Sequence, residues 1–167
     1  PPAPFGIGDD CAVLPPTRRH QLVTTDPVIY GQHFDQHVAP RAVGAKLLKR
    51  NLSDIAAMGG RPSAAVVSLA LAPETNLAWL RSFYRGLAAC ALKYQVKIVG
   101  GDITQGPTGF FGAFLTLHGE ATGQRVVTRA GAQRGDRIYV TGKLGGSLLG
   151  HHYNFSPRLA EGAWLAK

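Results

Sequence analysis

The 167-residue chain predicts an α+β fold, a mixed four-stranded-type sheet with helices on one face, followed by the start of a second α/β domain. Three observations carry this expectation. Apolar residues recur at helical spacing over two long segments, 40–58 and 74–94. Short runs rich in Val, Ile, Leu and Thr flank and separate those segments, which suits strands packed under helices. Beyond Gly119 the texture changes to brief strand-like runs parted by glycine.

Taken in order, residues 10–14 (DCAVL) and 20–25 (HQLVTT) read as two strands about the turn Pro15-Pro16-Thr17. In 40–58 the positions Val43, Leu47, Leu48, Leu52 and Ile55 share one helical face, with Pro40 at the start and Gly59-Gly60 at the end. Residues 63–71 (SAAVVSLAL) form a buried-strand candidate closed by Pro73. The second helix, 74–94, places Leu77, Leu80, Phe83, Tyr84, Leu87, Ala88 and Ala91 on one side. A strand at 96–99 (VKIV) runs into Gly100-Gly101-Asp102, and a longer one spans 110–117. The order is β-β-α-β-α-β-β.

Segments 125–129 (RVVTR), 137–141 (RIYVT) and the glycine-rich 142–150 read as a linker strand and then the first strand and helix of a second domain. The expected division is a first domain at 1–122, a linker at 123–135, and the incomplete beginning of a second domain at 136–167. The chain opens at Pro1 and stops at Lys167, just after a periodic stretch begins, so it reads as a piece of something longer.

Composition excludes several classes. Eighteen Lys and Arg against ten Asp and Glu give a charge of +8, with 45% hydrophobic residues, an apolar share that argues against disorder. Gly and Pro are frequent but follow no triplet period, and two cysteines, Cys11 and Cys90, are too few for a disulfide scaffold. No apolar run approaches the roughly 20 residues of a membrane span, and no signal peptide opens the chain, so a soluble, cytoplasmic protein with no membrane partner is expected. The basic residues are scattered and no nucleic-acid motif accompanies them, so no nucleic-acid partner is expected.

The scarce acids are informative. Asp9, Asp10, Asp26, Asp54 and Asp102 sit in short Gly-, Thr- or Asn-containing segments, where carboxylates serve either as turn and cap residues or as cation ligands beside a polyanion. Gly6-Ile7-Gly8-Asp9-Asp10 places flexible backbone before two carboxylates. Thr24-Thr25-Asp26 closes a strand with hydroxyl and carboxylate oxygens, a set that suits Mg²⁺. His33 stands in a loop without zinc-ligand spacing and is a plausible phosphate partner.

Asn51 and Asp54 share a helix face that Lys46 and Arg50 extend. The small apolar residues that follow imply close packing, so Asp54 is expected to be only partly exposed. Gly101 and Asp102 follow a β-branched strand, where α/β proteins place ligand groups. No Walker A or dinucleotide fingerprint occurs, and the 142–147 glycines lack phosphate-loop spacing. Arg129 is a possible phosphate clamp.

In order and spacing, GIGDDCAVL, TTDPVIYGQHF, KLLKRNLSDIAAMGGRP, FYRGL, IVGGDIT and VTRAGAQRGDRIYVTGKLG resemble the thiamine-monophosphate kinase family, within the aminoimidazole ribonucleotide synthetase-like superfamily. The likeness covers nearly the whole chain. It implies an aminoimidazole ribonucleotide synthetase N-terminal-like fold. The implied activity is ATP-dependent phosphorylation of thiamine monophosphate to thiamine diphosphate, with several Mg²⁺ ions, ATP as co-substrate and no covalent enzyme intermediate.

By position it implies metal ligands at Asp10, Thr24, Thr25, Asp26, Asp54 and Asp102. Nucleotide contacts are implied at Tyr84, Gly101, Asp102 and Arg129, and a substrate contact at His33. A homodimer built on the first domain's sheet is also implied. Ile103 stands where the family usually has threonine after GGD. The family's second-domain Asp-rich and GGEDYE-like segments are not in this sequence, so little kinase activity is expected of the piece alone. The alternatives are another ATP-dependent synthetase of the superfamily and a non-enzymatic basic nucleotide- or RNA-binding module.

Overall fold

A computed structural model describes residues 7, 10–123 and 126–167. Its sheet has four strands, β1 (Gln21–Ile29), β2 (Gly60–Leu71), β3 (Lys97–Gln105) and β4 (Phe111–Ala121), in the spatial order β1-β4-β2-β3. Strand β4 runs antiparallel to both β1 and β2, while β2 and β3 are parallel, so the sheet is mixed. Helix α1 (Pro40–Ala57) joins β1 to β2, and α2 (Leu77–Lys93) is the crossover that parallel neighbours β2 and β3 require.

Both helices cover one face. Val43, Leu47, Leu48, Leu52 and Ile55 of α1 are buried against Ala65, Val67, Leu69, Leu115 and Leu117 of the sheet. Each such fully buried aliphatic chain contributes roughly 1.5–3 kcal/mol of transfer free energy. The helices approach closely because two glycines meet at their crossing. A Cβ on Gly44 would strike the Phe83 carbonyl, and one on Gly86 the Arg41 carbonyl. Phe34, Trp79, Phe83 and Phe111 close one end of this core, with ring centroids 4.8–6.0 Å apart. Pro40 enters α1 at its first turn, and Gly59 leaves it at a φ of +66°. Asn76 caps α2, its Oδ1 accepting from the Ala78 and Trp79 amides.

The structure departs from the sequence expectation in four places. Residues 10–14 form no strand, because they lie over the uncovered sheet face rather than in the ladder, and the first strand instead extends to Ile29. The buried stripe of α2 keeps Phe83, Leu87 and Ala91 of the expected face but is narrower and shifted toward Gly86 and Cys90. Phe83, Gly86, Leu87, Cys90 and Ala91 face the core, while Leu77 and Ala88 are exposed beside Tyr84. Strand β3 runs on through the glycines to Gln105. Residues 126–129 and 137–141 form no strand, since no neighbouring strand offers them a ladder; Ile138 is 95% exposed.

The C-terminal stretch folds instead as a 3₁₀ turn (Ser147–Leu149) and two short helices, α3 (His151–Asn154) and α4 (Leu159–Leu165), both packed on α1. No helix among the described residues is long and apolar enough to cross a membrane.

Candidate active site

Strand alternation and register decide which candidate groups can meet. Along β1, Thr24 and Asp26 share the helix-covered face, because their neighbours Leu117 and Leu115 belong to the core. Thr25 faces the other way, and the Thr116 hydroxyl lies 3.4 Å from its own. Asp102 is level with Ser68 and Phe114, both exposed, and so stands on the uncovered face.

The first locus is the seam between β1 and α1. The Thr24 hydroxyl donates to Asp54 Oδ2 at 2.6 Å. One turn earlier on α1, the Arg50 guanidinium donates to Asp26 Oδ1 and to the Pro27 carbonyl, each at 2.9 Å. Asn51 is fully buried beneath them; its Nδ2 donates to the Leu47 and Asp26 carbonyls, and its Oδ1 lacks a protein partner. Thr24 and Asp54 also line a cavity of about 340 Å³ with Thr128 and Arg129. Two metal-type candidates and the candidate phosphate clamp thus come together from segments more than seventy residues apart.

Asp54 itself is exposed, not the partly covered group its apolar sequel suggested, because Ile55 and Ala56 turn inward while the carboxylate reaches across the seam to Thr24. Farther back on the same helix, Lys46 is only 6% exposed.

The second locus lies across the sheet. Asp10, with Cys11, lines a cavity of about 360 Å³ over Val66, Gly100, Gly101 and His118. Gly101 is required there, since a Cβ would strike the Val67 carbonyl of the adjacent strand. One extra residue in β3, between the Ala65–Ile98 and Val66–Gly100 pairs, sets the register. Without this bulge Asp102 would pair with Leu69 on the core face.

Two further candidates stand apart. Tyr84 is half-buried on the outer side of α2 in a groove of about 410 Å³ with Arg81 and Arg85, and burial raises its hydroxyl pKa. His33 sits in the loop between β1 and α1, where the Ile29 amide donates to its Nδ1 at 3.1 Å. Desolvation, then the charges of Arg50 and Lys46, lower its pKa and keep the ring neutral near pH 7.

Among the described residues no three acidic, His or Cys side chains converge as a ready metal cluster. The candidate carboxylates instead divide between the two faces. Asp9 lies outside the described residues.

The sequence reading passed over Arg50 as the partner of Asp26, and over Tyr153 and His152 as partners of the α1 lysines. Only the position of Arg50 four residues before Asp54 hinted at the first.

Residues 8–123 match the family model of AIR synthase related protein, N-terminal domain. Thiamine-monophosphate kinase from Escherichia coli (strain K12) is 41% identical over 147 residues, covering 87% of this chain and 44% of that protein. The same enzyme from Rhodopirellula baltica is 38% identical over 176 residues, covering 99% and 54%. The chain thus spans about half the length of the curated relatives it matches. A crystal structure of thiamine monophosphate kinase from Aquifex aeolicus superposes with a TM-score of 0.82 at 30% identity, covering 91% of this chain and 57% of that one. A solved structure of AaThiL complexed with AMPPCP and TMP superposes equally well, covering 96% and 57%. With the four-stranded mixed sheet and its one-sided helices, the match over residues 8–123 places this chain in the AIR synthase related family, whose N-terminal domain it carries.

Proposed function

We propose that this chain supplies the ATP- and Mg²⁺-binding part of a thiamine-monophosphate kinase. The reaction is direct in-line transfer. A phosphate oxygen of thiamine monophosphate forms a bond to the γ-phosphorus of ATP as the β–γ bridging bond breaks, giving thiamine diphosphate and ADP. The observation that carries this reading is 41% identity with such a kinase over 87% of the chain. The relative complexed with AMPPCP and TMP supports the same pair of substrates.

The donor set fits Mg²⁺. Thr24, Asp26 and Asp54 offer only hard oxygens on one seam, and Thr25, Asp102 and Asp10 offer the same chemistry on the other face. A bound cation there neutralises phosphate charge and orients the transferring group. Arg129, in the Thr24–Asp54 cavity, adds a planar donor fork for phosphate oxygens. Tyr84, Gly101 and Asp102 are nucleotide contacts in this reading, and His33, neutral near pH 7, is a donor toward the acceptor substrate.

The domain division at 122 and 136 belongs to the same proposal, as do a cytoplasmic location and a homodimer through the uncovered sheet face. On that face Val23 is 60% and Phe114 40% exposed.

The deciding assay uses the natural-length protein with ATP, Mg²⁺ and thiamine monophosphate, against other phosphate acceptors. Thiamine diphosphate should form, and Asp54→Ala should abolish both turnover and Mg²⁺-dependent ATP binding. No turnover of the thiamine ester, with turnover of another acceptor, overturns the proposal in favour of another synthetase. Nucleotide binding that ignores Mg²⁺ and weakens steeply with salt points to a simple basic binding module.

A further inference from the structure

The backbone of His33 is held by two side chains from different parts of the chain. Lys46 Nζ, from α1, donates to the His33 carbonyl at 2.6 Å. The Tyr153 hydroxyl, from α3, donates to the same oxygen at 3.2 Å. The ring is held as well, since the Ile29 amide donates to Nδ1 at 3.1 Å. An Nδ1 that accepts leaves the proton of a neutral imidazole on Nε2, so this grip selects the tautomer with an Nε2–H donor.

Lys46 is an unusual residue for such a place. It is almost wholly buried, and no carboxylate pairs with it among the described residues. A buried ammonium is costly unless its protons are satisfied, and a methionine would fill the same space without that cost. Here the ammonium is satisfied by the His33 carbonyl, by His152 Nδ1 at 3.0 Å, and by the Tyr153 ring, whose centroid lies 4.3 Å away. Lys49 adds a second tie, donating to the Tyr153 carbonyl at 2.8 Å. Every one of these partners belongs either to the His33 loop or to α3.

We infer that Lys46 and Tyr153 are positioning residues that lock the His33 loop, so that its Nε2–H is presented to a phosphate oxygen of the acceptor substrate. The short helix α3 is thereby part of the acceptor site's support. This rests on the reading of His33 as an acceptor contact.

The test compares Lys46→Met, Tyr153→Phe and His33→Ala in the natural-length protein. Lys46→Met should raise the KM for thiamine monophosphate about tenfold, the loss of a charge-assisted hydrogen bond, and leave kcat and the KM for ATP near their starting values. Tyr153→Phe removes one hydroxyl and keeps the ring, and should raise the same KM about threefold, the loss of a neutral hydrogen bond. In both variants the His33 ring resonances should shift, with a smaller Nε2–H tautomer fraction by ¹⁵N NMR.

If His33→Ala raises the acceptor KM while neither other variant does, the positioning role is overturned and His33 keeps its own. If His33→Ala leaves that KM unchanged, the reading beneath the proposal fails with it. Should Lys46→Met not fold, Tyr153→Phe decides alone: unchanged His33 resonances overturn the proposal.

Discussion

A single carboxylate in this molecule is defined less by its neighbours in sequence than by the group that crosses to meet it. Thr24 and Asp54 are thirty residues apart, yet the 2.6 Å hydrogen bond makes them one oxygen cluster. Thr24→Val removes both a proposed cation oxygen and the group that orients Asp54, and should therefore lower Mg²⁺ affinity at least about tenfold, read by isothermal titration with ATP present. The Arg50–Asp26 pair, about three-quarters buried at each partner, ties α1 to β1 through a charge-assisted bond. Arg50→Met should destabilise the chain by about 1–2 kcal/mol in urea unfolding. The two cysteines should also separate cleanly. Burial pushes the Cys90 thiol up to about 11, whereas Cys11 is exposed, so a thiol reagent at pH 8 should label Cys11 and spare Cys90 until the fold opens. Asp26, Asp54 and Asp102 were legible as candidates from residue type and spacing alone. Their partners were not, because Arg50 and Thr24 become neighbours of these acids only when α1 lies across β1.

Among the elements, the α1–α2 crossing and the docking of α3 are the joints on which the candidate site depends. The crossing rests on glycine at two positions, so Gly86→Ala should force the helices apart and cost about 1–3 kcal/mol, seen as a lower urea midpoint. At the other joint, the Lys46 ammonium donates to His152 Nδ1, which requires a neutral ring. Desolvation and then the charge of Lys46 lower the His152 pKa below its ordinary 6.5. A histidine with a lowered folded pKa stabilises the fold fully above the unfolded value and loses that contribution as pH falls through the folded one. Hydrogen-exchange protection of residues 151–154, corrected for intrinsic rates, should thus fall between pH 7.5 and 5, and His152→Ala should flatten that change. Helix periodicity made α1 readable to within a residue at each end. The same periodicity drew the buried side of α2 too wide: Phe83, Leu87 and Ala91 pack as expected, but Leu77 and Ala88 are exposed and Gly86 and Cys90 are buried, a choice that only the surface beneath the helix makes.

For the molecule as a whole, the sheet divides the candidate ligands between a helix-covered face and an open one, and the open face carries the apolar residues Val23 and Phe114. If the proposed dimer uses that face, Phe114→Glu should convert the natural-length protein to a monomer by sedimentation, with Asp102 and Thr25 then left on a solvated surface. The residue order by itself determined the two long helices, most of the strands, the mixed one-sided architecture and the oxygen-rich character of the candidate site, because each follows from local spacing of apolar groups or from residue chemistry. It also carried the family resemblance. Which groups share a face was decided only in three dimensions. A one-residue bulge in β3 turns Asp102 away from the core, and strand alternation sets Thr25 opposite Thr24. The buried Lys46 finds one acceptor in the His33 loop and another, His152, more than a hundred residues away on α3. Register and burial are properties of the assembled sheet and helices, where a shift of one residue reverses a side chain, and no local pattern in the chain encodes that shift.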